Sequence, residues 1–204
     1  MKVVKPSYII ERCPEGEEVL AWLERCCRVA YKSEDKIAPG SAERLIRSVL
    51  SRGHESVIEH DFISVRFICD RGVTHELVRH RLAAYTQEST RYCNYSGEVT
   101  FIRPLFWKLD DTHLYKVWFQ SMEQAEINYR DLIGLGASPQ EARGVLPNSL
   151  KTEIIATANI REWRHILALR TAKVAHPQMR ELMIPLLQEL KTRIPLLFDD
   201  IKEE

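Results

Sequence analysis

The amino-acid sequence predicts an α+β fold made of a single domain that spans residues 1–204. Segments with the alternating pattern of half-buried strands are mixed, in no regular order, with segments of helical periodicity. The 204 residues are 45% hydrophobic and 28% charged, which is the composition of one globular domain with a sizeable core. No glycine-rich loop follows the first strand, so a doubly wound dinucleotide-binding fold is not expected.

The N-terminal quarter is predicted to contain a strand and two helices. The strand covers residues 3–10 and is interrupted or started at Pro6. A helix over residues 17–31 follows, because apolar residues recur there at helical spacing. After a polar loop, Ser41 is a favourable N-cap for a second helix, which Gly53 closes.

A strand and a helix are predicted next. Residues 62–69 alternate, with four apolar side chains on one side, namely Ile63, Val65, Phe67 and Cys69. The chain turns at residues 70–72, and residues 73–84 have the composition of a helix. This order would deliver Glu76, Arg79 and His80 near the C-terminal end of a helix seated on a sheet. Such an element is a rigid support for a site.

The middle of the chain is predicted to hold a short strand and two helices. The strand covers residues 99–103, and a long helix covers residues 111–135. A further helix begins after Ser138, where a capping box is combined with proline at the first helical position.

The last part of the chain is predicted to be a strand and two helices. Residues 149–158 alternate as a strand does, and residues 160–170 read as a helix. Pro177 opens a final helix, and Pro185 is expected to kink this helix or to shift its start.

The charges of the chain balance. Lys+Arg and Asp+Glu both number 29, so the formal net charge is zero with neutral histidines. No overall polycation is available for nonspecific binding to nucleic acids or membranes, and any anion site must be a local cluster. A nucleic-acid-binding module is an alternative that this neutrality opposes, and a salt-sensitive gel shift would support it.

The cysteines and the apolar segments indicate the cellular compartment of the protein. Five cysteines, an odd number without a C-x-x-C pair, argue against a disulfide framework or a structural zinc site. No apolar run approaches the ~18 residues of a membrane span, and the first residues lack the apolar core of a signal peptide. We therefore expect a soluble protein of the reducing cytoplasm with no membrane partner.

A crowded polar segment at residues 54–61 invites a metal hypothesis. His60 and Asp61 form the dipeptide of the HD phosphohydrolases, but those enzymes take further ligands from a distant upstream histidine. No histidine precedes His54 in this chain. We therefore expect no metal, and metal-dependent hydrolysis of nucleotides would indicate the alternative.

The stretch of residues 79–92, RHRLAAYTQESTRY, is the densest set of cationic and hydrogen-bonding side chains. On a helix, three consecutive side chains are rotated by about 100° each, so Arg79, His80 and Arg81 should contact different groups. Residues 87–91 favour an extended or a turn backbone, and in an extended run Gln87, Ser89 and Arg91 would share one face. Such a row suits a phosphate or a heterocycle with several acceptors.

Arg79-His80-Arg81, followed after seven residues by Ser89, resembles the signature of the flavin-dependent thymidylate synthase family. Three further segments resemble that family's motifs in the same order: residues 54–60, residues 142–147 and residues 159–170. The resemblance covers most of the chain between residues 54 and 170. It implies a central, mainly antiparallel sheet flanked by helices.

The resemblance also implies site residues. Those that would contact FAD are His54, Ser56, Arg79, His80, Arg81, Gln87, Asn159, Ile160, Arg161 and His165. Those that would surround dUMP are Glu76, Leu77, Val78, Arg79, Gln87, Glu88, Ser89, Thr90, Arg91, Arg143 and Arg170. Arg170 is implied to be catalytic, because a fixed guanidinium can stabilise negative charge on the uracil ring. His165 stands where many relatives have asparagine, and Gln87 where some have glutamate.

The implied reaction is reductive methylation of dUMP to dTMP. NADPH reduces FAD, 5,10-methylenetetrahydrofolate donates the one-carbon unit, and the reduced flavin provides the hydride, so that the folate leaves as tetrahydrofolate. Ser89 is expected to hydrogen-bond rather than to act as a nucleophile, since no histidine or lysine is evidently paired with it. The family's arrangement implies a homotetramer whose sites are each built from several chains.

Overall fold

The computed structural model describes residues 1–107 and 112–203, and those ranges form strands β1–β6 and helices α1–α8. The strands are β1 (Lys2–Val4), β2 (Ser7–Arg12), β3 (Phe62–Asp70), β4 (Ala83–Gln87), β5 (Thr100–Ile102) and β6 (Lys151–Asn159). The helices are α1 (Gly16–Val29), α2 (Ser41–Ser51), α3 (Arg71–Leu77), α4 (Thr112–Gly134), α5 (Pro139–Ala142), α6 (Ile160–Thr171), α7 (Pro177–Arg193) and α8 (Pro195–Phe198).

Four strands form a mainly antiparallel sheet in the order β2–β3–β6–β4, which confirms the predicted α+β class. The two long strands alternate between buried and partly exposed residues, as the sequence predicts. Strands β1 and β5 pair in parallel, with Val3 opposite Phe101. Pro6 lies between β1 and β2, which confirms the interruption predicted there.

The chain divides into two compact units. The first unit consists of Met1–Tyr8, Arg66–Arg79 and Tyr85–Ile155. The second unit consists of Ile9–Val65, His80–Ala84 and Ala156–Glu204.

The core of the first unit surrounds α4. Its buried members among the described residues are Val99, Phe101, Trp118, Met122, Ala125, Tyr129, Ala142 and Leu150. Glu126 is buried with them, and its carboxylate accepts a hydrogen bond from Val99 N and pairs with Arg130, each at 3.0 Å. A buried carboxylate is costly unless it is hydrogen-bonded and paired, so these contacts join the start of β5 to α4.

The core of the second unit surrounds α6. This helix packs against α7 and against a 3₁₀ helix at Glu55–His60. Trp163 is fully buried and its Nε1 donates to Ile63 O at 2.8 Å, which anchors α6 on β3. Because β3 and α6 are held in this way, the residues at the start of α6 have fixed positions.

Several predicted boundaries are wrong. The predicted helix over residues 73–84 ends at Leu77, and the chain enters β4 at Ala83. The apolar side chains of Val78 and Leu82 are exposed and do not hold a longer helix against the core, whereas pairing in β4 satisfies the backbone hydrogen bonds. Arg79 and His80 therefore lie after a helix and not on it.

The N-cap of α2 is also different from the prediction. Gly40, with φ of 72°, precedes the helix, while Ser41 is its first residue. Ser41 Oγ accepts from Ala38 N at 2.9 Å and donates to the buried Glu24 at 2.8 Å. The serine therefore links α2 to α1 instead of capping its own helix.

The C-terminal helices differ from the prediction in one respect. Helix α7 begins at Pro177 as predicted and includes Pro185, which does not shift its start. It is not the final helix, because α8 follows at Pro195. The predicted long helix corresponds to α4, and its predicted first residue, Asp111, lies outside the described residues. Within the described ranges, no helix is both long and apolar enough to cross a membrane.

Candidate active site

The predicted site residues divide between the two units. The first unit holds Glu76, Leu77, Val78, Arg79, Gln87, Glu88, Ser89, Thr90, Arg91 and Arg143. The second unit holds His54, Ser56, His80, Arg81, Asn159, Ile160, Arg161, His165 and Arg170. Apart from Arg170, the predicted contacts of dUMP lie in the first unit, and apart from Arg79 and Gln87, those of FAD lie in the second.

A buried histidine contacts Arg170 in the second unit. Arg170 Nε donates a hydrogen bond to His80 Nε2 at 2.9 Å, although the two residues are 90 positions apart in the sequence. His80 is only 5% exposed, and its Nδ1 lies 3.8 Å from Glu162 Oε1. The ring of His165 lies edge-on to that of His80, with the centroids 5.8 Å apart.

The electrostatic surroundings keep His80 neutral. Burial, together with the neighbouring Arg170 and His165, lowers the pKa of His80 from 6.5 to about 4. A neutral imidazole has one donor and one acceptor nitrogen. Because Nε2 accepts from Arg170, the proton of His80 belongs on Nδ1, the nitrogen that faces Glu162.

A groove on the second unit brings together three predicted flavin contacts. It has a volume of about 1020 Å³, and its lining includes Asn159, Arg161 and His165. Asn159 is the N-cap of α6, with its side chain accepting from Glu162 N at 2.8 Å. Arg161 pairs with Glu59 at 2.6 Å, and this pairing raises the pKa of the guanidinium.

Ile160 differs from its predicted neighbours in this groove. Its side chain is fully buried and its N–H donates to Asp61 O at 3.0 Å. Ile160 is therefore a core residue at the start of α6, and its contact with a flavin stays a prediction.

A separate groove contains the two remaining upstream residues. His54 and Ser56 line a cavity of about 700 Å³ together with side chains of α1 and α2. Five of the predicted flavin contacts of the second unit thus line two different grooves of one chain.

The polar segment at residues 54–61 does not converge on one point. Glu59 pairs with Arg161, and Asp61 Oδ1 accepts from Phe62 N at 2.8 Å. Among residues 1–107 and 112–203, no group of three or more His, Cys, Asp or Glu side chains is placed to hold a metal ion.

In the first unit, the side chains of Gln87 and Glu88 are engaged by protein groups. Gln87 Nε2 donates to Thr74 Oγ1 at 3.0 Å and to Thr152 Oγ1 at 3.2 Å. Glu88 accepts from Tyr95 OH at 2.5 Å and pairs with Lys151 at 3.1 Å. These contacts fix the end of β4, from which the next predicted residues follow.

The chain turns directly after Glu88, so of the two predicted alternatives for residues 87–91 the turn is present and the extended run is not. Cys93 N donates to Ser89 O at 2.9 Å, and Arg91 N donates to Ser89 Oγ at 3.2 Å. A serine side chain that accepts from a backbone N–H two residues later stabilises a turn. The Arg91 guanidinium instead stacks over the Tyr92 ring, 5.3 Å from its centroid.

The turn also joins two predicted dUMP residues. Thr90 is buried, and its Oγ1 accepts a hydrogen bond from Arg143 at 3.4 Å. Arg79, Arg91 and Arg143 are exposed, and no ion pair involves them within the described parts of the chain. Exposed guanidinium groups of this kind suit an anionic ligand such as a phosphate.

Lys151 and four further residues of these networks were not predicted from the sequence. Glu162 faces His80, Thr74 and Thr152 accept from Gln87, and Tyr95 donates to Glu88. Only the alternation of residues 149–158 gave a signal, because Thr152 is in phase with the apolar residues that β6 buries.

Sequence comparison identifies relatives along almost the whole chain. Residues 8–196 match the family described as thymidylate synthase complementing protein. The chain is 36% identical over 175 residues to the flavin-dependent thymidylate synthase of Pyrococcus furiosus, covering 84% of this chain and 69% of that protein. The corresponding protein of Pyrococcus horikoshii is 37% identical over 195 residues, 91% of this chain and 79% of that one. The flavin-dependent thymidylate synthase of Geobacter sulfurreducens is 32% identical over 197 residues, which cover 94% of this chain and 84% of that protein.

Structural comparison identifies a similar fold. The crystal structure of a UMP/dUMP methylase, PolB from Streptomyces cacaoi, bound with 5-Br dUMP, superposes with a TM-score of 0.83. The match covers 98% of this chain and 96% of that one at 23% identity. Likeness at this level of identity shows that the two chains share a fold.

Proposed function

The chain belongs to the thymidylate synthase complementing protein family, and we propose that it is a flavin-dependent thymidylate synthase that methylates dUMP to dTMP. The observation that carries this proposal is the similarity to flavin-dependent thymidylate synthases along 84–94% of the chain. All four sequence motifs lie within the matched residues 8–196. In this proposal residues 1–204 act as one catalytic domain in the cytoplasm.

The side chains of the second unit fit a flavin. Asn159, Arg161 and His165 bring amide, guanidinium and imidazole groups to one groove of about 1020 Å³. The ring and the pyrophosphate of FAD offer acceptors that such groups bind. Bound FAD, once reduced by NADPH, would supply the hydride that completes the new methyl group.

The first unit provides groups suited to a nucleoside monophosphate. Arg79, Arg91 and Arg143 are exposed cations, and the turn at Ser89 is held by hydrogen bonds to the side chain and the carbonyl group of Ser89. We assign phosphate binding to these guanidinium groups. Ser89 Oγ hydrogen-bonds Arg91 N, which supports a binding role for this hydroxyl rather than a nucleophilic one.

Arg170 is the proposed catalytic residue. Transfer of a one-carbon unit from 5,10-methylenetetrahydrofolate requires C5 of the uracil to become nucleophilic, which places negative charge on N3 and its neighbouring carbonyl oxygen. A guanidinium is always charged and presents two parallel donors, so Arg170 would stabilise that charge as it develops. Tetrahydrofolate is then the expected folate product.

A homotetramer is part of the proposal. His54 and Ser56 line one groove of the second unit, while Asn159, Arg161 and His165 line another. Two separate grooves can contribute to one flavin site if the site is completed by a second chain. This arrangement supports sites that are shared between chains.

The proposal is tested on the purified protein. We expect a flavin absorbance spectrum that bleaches when NADPH is added without oxygen. We also expect dTMP to form from dUMP only when 5,10-methylenetetrahydrofolate is present, with UMP as the control nucleotide. A colourless protein that forms no dTMP after FAD is supplied, or that hydrolyses nucleotides with a divalent metal, would contradict the proposal.

A further inference from the structure

His80 holds a defined position between two residues of α6. Its Nε2 accepts the hydrogen bond from Arg170 Nε at 2.9 Å, while its Nδ1 lies 3.8 Å from Glu162 Oε1. Glu162 lies in the first turn of α6 and Arg170 in its last turn, so the imidazole lies along one side of this helix. His80 and Glu162 are both buried, at 5% and 7% exposure. A buried ring between fixed partners has little freedom to rotate.

We propose that His80 is a positioning residue for Arg170, whose guanidinium it orients through a neutral hydrogen-bond acceptor. This inference rests on the proposed function, in which Arg170 stabilises charge on the uracil ring. An arginine has several rotatable bonds, and a hydrogen bond at Nε fixes the plane of the guanidinium. The terminal nitrogens are then directed by the same contact.

The chemistry of the acceptor matters as much as its place. A carboxylate at this position would orient Arg170 as well, but it would also add an opposite charge beside the guanidinium. An unprotonated imidazole adds none, so the orientation is gained without reducing the positive potential that acts on the substrate. The low pKa of His80, about 4, keeps the ring in this state at neutral pH.

Glu162 supports the required tautomer. A carboxylate near Nδ1 favours the form with the proton on that nitrogen, which leaves the Nε2 lone pair for Arg170. His165, the other titratable side chain of α6 beside the ring, lowers the pKa of His80 and so opposes its protonation. Glu162 thus favours the nitrogen that carries the single proton, while His165 opposes a second proton on Nε2.

A matched pair of variants tests this role. In His80→Gln, the side-chain amide can place its oxygen where Nε2 lies, whereas the shorter amide of His80→Asn corresponds to Nδ1 and does not reach Arg170. We expect His80→Gln to keep kcat within about threefold of the wild type and His80→Asn to lose about thirtyfold, with little change in the KM for dUMP. The flavin spectrum is recorded for each variant.

Ligand binding gives a readout that does not depend on turnover. 5-Fluoro-dUMP is the probe, because its fluorine makes N3 more acidic and the uracil anion more accessible. We expect calorimetry of the flavin-loaded protein to give a ratio of 5-fluoro-dUMP affinity to dUMP affinity that falls about tenfold in His80→Asn and is kept in His80→Gln. Loss of structure alone would weaken both ligands equally.

A double-mutant cycle completes the test. If His80 acts through Arg170, His80→Asn should cost almost nothing further in an Arg170→Lys background. If His80→Asn does not fold, Glu162→Gln replaces it and should lower the same affinity ratio. Equal behaviour of the Gln and Asn variants, or additive effects with Arg170→Lys, would overturn the positioning role while leaving the proposed function intact. Failure of the wild type to bind dUMP or to form dTMP would instead count against the proposed function.

Discussion

Lys151 Nζ lies 3.1 Å from Glu88 Oε2, and this ion pair joins the end of β4 to the start of β6 within the first unit. Tyr95 OH donates to the other carboxylate oxygen of Glu88 at 2.5 Å, and burial together with this bond raises the pKa of Tyr95. Both oxygens of Glu88 are therefore bound by protein donors. This glutamate serves to hold the backbone that leads into the turn at Ser89.

The first prediction concerns Glu88→Gln. An amide cannot form the ion pair with Lys151, and loss of a partly buried, charge-assisted hydrogen bond costs about 1–2 kcal/mol. We expect the KM for dUMP to rise roughly three- to tenfold while the flavin spectrum is unchanged. Glu153→Gln is the control, because it removes the second partner of Lys151, at 2.7 Å, without touching the turn. An unchanged KM in Glu88→Gln would contradict the anchoring role.

The second prediction concerns Arg170→Lys. An ammonium group keeps the charge but cannot reproduce the planar contact with two donors. We expect this variant to bind FAD and to lose at least about a hundredfold in kcat for dTMP formation. Titration with FAD measures binding, and dTMP is measured by chromatography. If dTMP forms at the wild-type rate, Arg170 has no part in the mechanism.

The fold was predictable where one physical pattern dominated. Strands β3 and β6 alternate between buried and exposed residues, and that period is visible in the sequence. The end of α3 was not predictable, because residues 73–84 favour a helix locally, while pairing in the sheet decides the conformation from Ala83 onwards. The role of Ser41 was missed for a similar reason, since its partner Glu24 lies on another helix.

The candidate site was predictable in its residue types but not in its partners. The motif around Arg79 and Ser89 identified the residues through a family resemblance. The contacts between His80 and Arg170, 90 positions apart, and between Gln87 and Thr152, 65 apart, depend on tertiary structure. No local pattern of residues indicates such pairs, so the orientation of Arg170 could be inferred only from the fold.

The third prediction is a dependence of stability on pH. Burial lowers the pKa of His80 to about 4, while an unfolded histidine has a pKa of 6.5. Between these values the unfolded chain binds more protons than the folded one, so stability falls as pH falls from 6.5 towards 4. His80→Gln removes this group, and we expect its Tm to fall less steeply over that interval. Parallel Tm curves for both proteins would show that His80 does not titrate in this way.

The fourth prediction follows from the two grooves of the second unit. If each flavin site takes His54 from one chain and Arg161 from another, His54→Ala and Arg161→Ala should each be nearly inactive but complement each other. Mixed tetramers would contain sites without either substitution. We expect co-expressed chains to recover about a tenth or more of the wild-type flavin content and activity.

Sedimentation provides the control for this experiment. The flavin-loaded protein should sediment at four times the chain mass of 23.8 kDa. Co-expression of two copies of the same variant should recover nothing. An active, flavin-loaded monomer, or a mixture no more active than its parents, would refute shared sites.

The last prediction concerns the cysteines and the source of the hydride. A mechanism with a cysteine nucleophile needs a reactive thiolate beside the substrate, and the folate then serves as the reductant and leaves as dihydrofolate. Cys69 is fully buried, and burial raises the pKa of its thiol. Cys93, the cysteine nearest to the Ser89 turn in the sequence, follows the predicted dUMP contacts and is not one of them.

We therefore expect a variant with all five cysteines replaced by alanine to keep kcat within about threefold if it folds. Replacing the buried Cys69 by alanine leaves a small cavity, which should lower the Tm of this variant. Flavin content and activity are therefore compared below the unfolding transition. Chromatography of the folates should show tetrahydrofolate beside dTMP. Dihydrofolate formed one-for-one with dTMP, or loss of turnover in a folded Cys93→Ser variant, would contradict the flavin-hydride mechanism.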